Sequence, residues 1–151
     1  MAKMVKVGMA DLNICHSPDA ITTLGLGSCV GVALYDKNTK TAGLVHVMLP
    51  DSTKVRQNQN RAKFADTGID ELIRQMENLG ASKSRLVAKM AGGAQMFAFS
   101  SSNDMLRVGE RNVEAVKDKL KKLGIRVLAE DTGLNYGRTV EFYPETGDFI
   151  I

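Results

Sequence analysis

The chain has 151 residues, 44% hydrophobic and 25% charged, with 20 Lys and Arg against 17 Asp and Glu for a net charge of +3. This suits one ordinary domain with its own core over residues 1–151 and excludes a disordered chain, while 14 Gly and 3 Pro without a period exclude collagen-like and low-complexity classes. Aromatic residues are 5% with no Trp, leaving little to stack on nucleic-acid bases, and no apolar run approaches the ~20 residues of a membrane helix, so neither partner is expected.

Met1-Ala2-Lys3-Met4-Val5-Lys6 is basic with no apolar stretch behind it, unlike a secretory leader. Two cysteines, Cys15 and Cys29, are too few for a disulfide scaffold, and a reducing, cytoplasmic setting is expected. Val5 to Ile14 alternates weakly and reads as one strand, broken by turn chemistry at Ser17-Pro18-Asp19. Ala20 to Leu24 and Val30 to Tyr35 are strands separated by a glycine-rich corner. Asp36 to Lys40 is a polar hairpin loop leading into a partner strand, Thr41 to Met48, closed by Pro50.

Asp51 to Arg61 holds almost nothing apolar besides Val55 and reads as an exposed, mobile loop. Ile69, Leu72, Ile73, Met76 and Leu79 recur at helical spacing, with Gly80 placed as a left-handed cap. Leu86-Val87-Ala88 runs as a strand into a Gly92-Gly93 corner, flanked by Met90, Met96 and Met105 as adaptable filler. A second amphipathic helix carries Val113, Val116, Leu120 and Leu123 and stops at Gly124; its lysines 117, 119, 121 and 122 form a solvated outer face. Ile125 to Ala129 is a strand, and Thr139–Tyr143 with Asp148–Ile151 a final hairpin. Strands first, helices later and a hairpin last define an α+β fold.

Chemistry concentrates at Thr23-Leu24-Gly25-Leu26-Gly27-Ser28-Cys29-Val30. Glycines before a cysteine let the backbone bend, present a thiol and leave N–H groups to hold a carbonyl oxyanion. A free cysteine is as readily a small core hydrophobe. The spacing fails the dinucleotide pattern GxGxxG, since Val30 stands where glycine is needed and a strand follows rather than a helix. His46 shares a strand face with Leu44 and Met48, as core or as base; His16 reads as an exposed loop residue. Cys15, His16, Cys29 and His46 lack the paired spacing of a metal site, so no metal or cofactor is expected.

Thr23-Leu24 ahead of Gly27-Ser28-Cys29, then Gly43-Leu44-Val45-His46-Val47-Met48-Leu49-Pro50, resembles the CheD family of chemoreceptor glutamine deamidases. Lys89-Met90-Ala91-Gly92-Gly93-Ala94-Gln95-Met96, Gly109-Glu110-Arg111-Asn112, and Asp131-Thr132-Gly133 with Gly137-Arg138 follow in the family's order. The resemblance implies a cysteine hydrolase converting receptor glutamines to glutamate, with Cys29 as nucleophile, His46 as general base and Thr23 orienting the ring. Adjacent Thr22 leaves open which hydroxyl does so. The corner at Gly27 and Ser28 would then hold the oxyanion.

The resemblance also implies a β-sandwich-like core of mixed sheets flanked by two helices, akin to the catalytic domain of cytotoxic necrotizing factor toxins. Its implied partners are the cytoplasmic helices of methyl-accepting receptors and the CheC phosphatase. Lys54, Arg56 and Arg61 are expected to seat an acidic receptor surface. Competing readings are a regulatory module that binds CheC with a vestigial thiol, and a methylesterase acting on receptor glutamates through the same thiol. Two positions depart from the family pattern: Phe64 replaces a tyrosine, and Leu134 replaces a glycine, which argues against a positive φ there.

Overall fold

A computed structural model describes residues 2–56, 59–95 and 107–151. The chain opens with β1 (Met4–Val7), β2 (Leu12–His16) and β3 (Ala20–Leu26). They are followed by β4 (Val30–Asp36), β5 (Thr41–Val47), α1 (Ala65–Asn78), β6 (Val87–Gly92) and α2 (Val108–Lys122). The chain ends in β7 (Arg126–Thr132), β8 (Arg138–Tyr143) and β9 (Asp148–Ile150). Among the described residues these strands form two mixed sheets, β1-β3-β8-β9 and β2-β5-β4-β6-β7. The α+β architecture expected from element order is the one observed.

Val5 to Ile14 is not one strand. Ala10 takes φ 56° between β1 and β2, which sends β1 to pair in parallel with β3 and β2 antiparallel with β5 in the other sheet. Strand alternation then assigns the two faces of the five-stranded sheet. Val30, Val32, Leu34, Val45, Val47, Ala88 and Met90 pack against Ile69, Leu72 and Met76 of α1 and Val116 and Leu120 of α2. Each buried aliphatic side chain of this set contributes roughly 1.5–3 kcal/mol. Gly43 makes room for the helix: a Cβ there would lie 2.7 Å from Leu72 Cδ1 and 2.8 Å from Met76 Sδ. As the spacing predicts, Gly80 stops α1 just past its C-cap Leu79, with a φ of 101° that only glycine adopts cheaply.

The opposite face packs on the four-stranded sheet through Ala33, Tyr35, Ala42, Leu44 and Ala91 against Val7, Ile21, Leu26, Val140 and Phe142. This inter-sheet layer also holds both cysteines. The candidate site lies at its edge, where β4 begins and β5 ends.

The segment after Pro50 is less open than its polarity suggests. Asp51 caps a 3-10 turn at Ser52–Lys54, the buried Ser52 is held by Asp66, and Asn60 caps a second turn at Arg61–Lys63. Lys63 C=O accepts from Met48 and Leu49 N–H at 2.8 and 3.0 Å, tying the segment to the end of β5. Leu134 also departs from expectation, with φ 60° beside Gly133 at 80°. Its carbonyl accepts from Gln95 N–H at 2.8 Å and Gly133 N–H donates to Gly92 C=O at 3.0 Å, bonds that offset the roughly 1–2 kcal/mol of a left-handed non-glycine residue. Phe64, fully buried, is the N-cap residue of α1. Met96 and Met105 lie outside the described residues.

Candidate active site

The cysteine corner begins inside β3. Register with β8 slips between Thr23 and Leu26, Gly25 takes φ 69°, and Gly27 N–H turns back to Gly25 C=O at 3.0 Å. The carbonyls of the next residues are each held from the protein side. Gly27 C=O accepts from Ala94 N–H at 2.9 Å, Ser28 C=O from Asn112 Nδ2 at 2.9 Å, and Cys29 C=O from Gly93 N–H at 2.8 Å. Gly92 is obligatory here, since a Cβ on it would lie 2.2 Å from the Cys29 oxygen. Among the described residues neither Ser28 nor Cys29 N–H reaches a backbone carbonyl.

Strand register brings the histidine to the same face. Gly31 of β4 pairs with His46 of β5, and Cys29, two residues before Gly31, is a diagonal neighbour at the roughly 7–8 Å backbone spacing that an imidazole bridges. Gly31 lacks a side chain where one would crowd the ring's surroundings: its Cβ would meet Leu26 Cδ1 at 3.1 Å and Thr23 Cγ2 at 3.5 Å. From the facing sheet, Thr23 Oγ1 lies 2.8 Å from His46 Nδ1 and donates its own proton to Val7 C=O, also at 2.8 Å.

That second bond fixes the ring's proton. With the Thr23 hydrogen committed to Val7, Oγ1 is the acceptor, so Nδ1 carries the hydrogen and Nε2 is a bare lone pair. Among the described residues Nε2 is buried without a hydrogen-bond partner, the thiol included. Thr22, one residue away, faces elsewhere and donates to Val140 C=O at 2.7 Å, which resolves which hydroxyl meets the ring.

Burial sets the charge state. It pushes the Cys29 thiol above its ordinary 9.0, partly offset by the residue's own N–H beside the sulfur, and holds His46 below its ordinary 6.5. At neutral pH the pair is therefore thiol and neutral imidazole. Cys29 retains 8% of its exposure, whereas His46 and Thr23 are at 0% and 1%.

The other candidates separate. Cys15 is buried in the inter-sheet layer, its thiol pushed up to about 12 by burial and then by Asp19. His16 ends β2 as an exposed strand residue rather than a loop residue, with Nδ1 2.9 Å from Thr41 Oγ1. Sequence reasoning missed Asn112, Gly31 and the Val7 carbonyl. Asn112 carried a signal, being a polar side chain on the buried stripe it shares with Val116 and Leu120. Val7 acts through its backbone and left none.

A thiol, an oriented imidazole with a free lone pair and uncommitted N–H groups are the parts that thiol-mediated acyl transfer requires. The comparisons agree with that class. A family model described as CheD chemotactic sensory transduction matches residues 48–151. A Lachnoclostridium phytofermentans protein named probable chemoreceptor glutamine deamidase CheD is 70% identical over 151 residues, covering 100% of this chain and 94% of its own. Proteins named chemoreceptor glutamine deamidase CheD from Halalkalibacterium halodurans and Bacillus subtilis are 59% and 51% identical over 147 and 146 residues, covering 97% and 96% of this chain and 91% and 88% of theirs. The chain belongs to the CheD family.

Proposed function

We propose that this protein deamidates glutamine side chains of chemotaxis receptors, acting as a single domain with Cys29 as nucleophile, His46 as base and Thr23 as the group that orients it. The observation carrying the reading is the bare, buried Nε2 of His46, fixed by the Val7–Thr23 relay on the face of β5 that adjoins Cys29. A lone pair left unpaired in a core is costly unless an incoming group uses it.

On this reading the receptor glutamine enters at the Cys29 corner and the sulfur approaches Nε2 as it seats, catalytic contacts commonly tightening on substrate binding. The thiol proton passes to Nε2 as sulfur bonds to the amide carbon, and Ser28 and Cys29 N–H hold the oxyanion. Gly27 N–H does not take part, because it is spent on Gly25 C=O. His46 returns the proton to the departing nitrogen, which leaves as ammonia from a thioester. Water then gives one proton to His46 and its hydroxyl to the carbonyl carbon. The sulfur recovers its proton from His46 as the carboxylic acid leaves, and that acid ionises, its proton going to the released ammonia. The net change is glutamine plus water to glutamate plus ammonium.

A cytoplasmic setting goes with this reading, since the receptor helices it would act on are cytoplasmic; separately, no described helix is long and apolar enough to cross a membrane. Lys54, Arg56 and Arg61 would seat the acidic receptor surface, Arg61 with its Nε paired to Glu71 at 3.2 Å and its side chain exposed. CheC is a further proposed partner, on the family resemblance alone. Incubation with a receptor cytoplasmic fragment tests the reaction: ammonia release is expected, methanol in its place would make the protein a methylesterase, and neither product would reduce it to a binding module.

A further inference from the structure

The residue that sequence reasoning passed over is the one that joins the two halves of the site. Asn112 is completely buried in the first turns of α2, and its Nδ2 donates to Ser28 C=O and to Met48 C=O, both at 2.9 Å. Both partners are carbonyls, so only the NH2 end of the amide can face them. One bond grips the residue before the nucleophile; the other grips the strand end two residues after His46.

The first bond has a directional consequence. The Ser28–Cys29 peptide is planar and trans, so its C=O and N–H point in opposite directions. Drawing Ser28 C=O onto Asn112 turns Cys29 N–H away from the helix, to the side where that N–H meets its own sulfur. Ala94 acts likewise on the preceding peptide, holding Gly27 C=O and so aiming Ser28 N–H. The tight seat of α2 on this corner supports the grip: a Cβ on Gly109 would lie 2.4 Å from Ala94 O, and one on Gly93 2.2 Å from Val113 Cγ2.

Asparagine is a poor choice for filling space at this position. Its Oδ1 is buried with no partner among the described residues, a cost that a leucine of similar volume would avoid. We propose that Asn112 is a positioning residue, which aims the Cys29 N–H at the developing oxyanion. This rests on the deamidase reading and adds to it a group remote in sequence from the three residues already assigned.

Asn112→Leu keeps the volume and removes both donations, and the variant is compared with wild type in three measurements. Ammonia release from a receptor fragment should lose kcat on the order of ten- to a hundredfold with little change in KM. Alkylation of Cys29 by iodoacetamide, which forms no oxyanion, should keep its rate. The Cys29 amide resonance, which needs no turnover, should shift. Loss of alkylation in step with kcat, an unchanged kcat, or an unmoved Cys29 amide would each overturn the proposal. A wild-type protein that makes no ammonia would overturn the deamidase reading alone, with the amide resonance still deciding the role of Asn112. If Asn112→Leu does not fold, Asn112→Ala, which also removes both donations, takes its place with the same expected results.

Discussion

Two places in this molecule bring together a cysteine, a histidine and a threonine. At one, His46 Nδ1 meets Thr23 Oγ1 at 2.8 Å; at the other, His16 Nδ1 meets Thr41 Oγ1 at 2.9 Å. What separates them is parity and register. Cys15 and His16 are successive residues of β2, so their side chains leave opposite faces: the thiol is sealed between the sheets and the imidazole stands in solvent. Cys29 and His46 come from neighbouring strands with an even offset and share the inner face. The environments differ too. Thr23 donates its hydrogen bond to a buried backbone carbonyl and so dictates the tautomer of His46, whereas Thr41 exchanges hydrogen bonds with Thr39 beside an exposed ring. The same three residue types make an active constellation only where the sheet aligns them.

The largest effect that would break this contrast comes from the sulfurs. Cys29→Ala should lower ammonia release by at least about 10³-fold, while Cys15→Ala should leave the rate of folded protein unchanged; equal losses would erase the distinction. Next comes pH. A protonated His46 cannot accept the thiol proton, and burial holds its pKa down, so kcat/KM should stay level through neutrality and fall only below pH 6.5. A thiolate–imidazolium pair would instead lose activity on the alkaline side, as the imidazolium gave up its proton.

The threonines give a smaller difference. Thr23→Ala should cost on the order of ten- to a hundredfold in kcat through a misoriented ring, with Thr23→Ser restoring most of it, and Thr41→Ala should not alter turnover. The smallest effect on chemistry is expected from the helix-covered face. Gly43→Ala drives a methyl into Leu72 and Met76 and should destabilise the fold by about 1–3 kcal/mol in denaturant melts, with kcat of the folded protein unchanged.

Much of this was readable before any coordinates. Ile69, Leu72, Ile73 and Met76 followed by Gly80 announce α1 because helix burial repeats every three to four residues, and strand parity already set His46 beside Leu44 and Met48. The break between β1 and β2 was hidden because it depends on which sheet each strand joins, a tertiary choice: Gly8 stands in the connection, but the positive φ falls on Ala10, a residue that does not announce one. Leu134 misled for the opposite reason: a local rule against positive φ was outweighed by hydrogen bonds to Gly92 and Gln95, distant in sequence. In the segment after Pro50, Asp51, Asn60 and Asp66 are capping and anchoring side chains whose polarity alone resembled exposure. The polar interruption at Asn112 was visible in the buried stripe of α2, but its two carbonyl partners, from other elements, were not.

The direct test of the account is the ring of His46 itself. Nitrogen-15 chemical shifts of the two histidines, assigned by His16→Gln, report both charge and tautomer without any substrate. At pH 7 His46 should be neutral with its proton on Nδ1 and Nε2 bare. An imidazolium at that pH, or a proton on Nε2, would leave no lone pair to receive the thiol's proton and would contradict it.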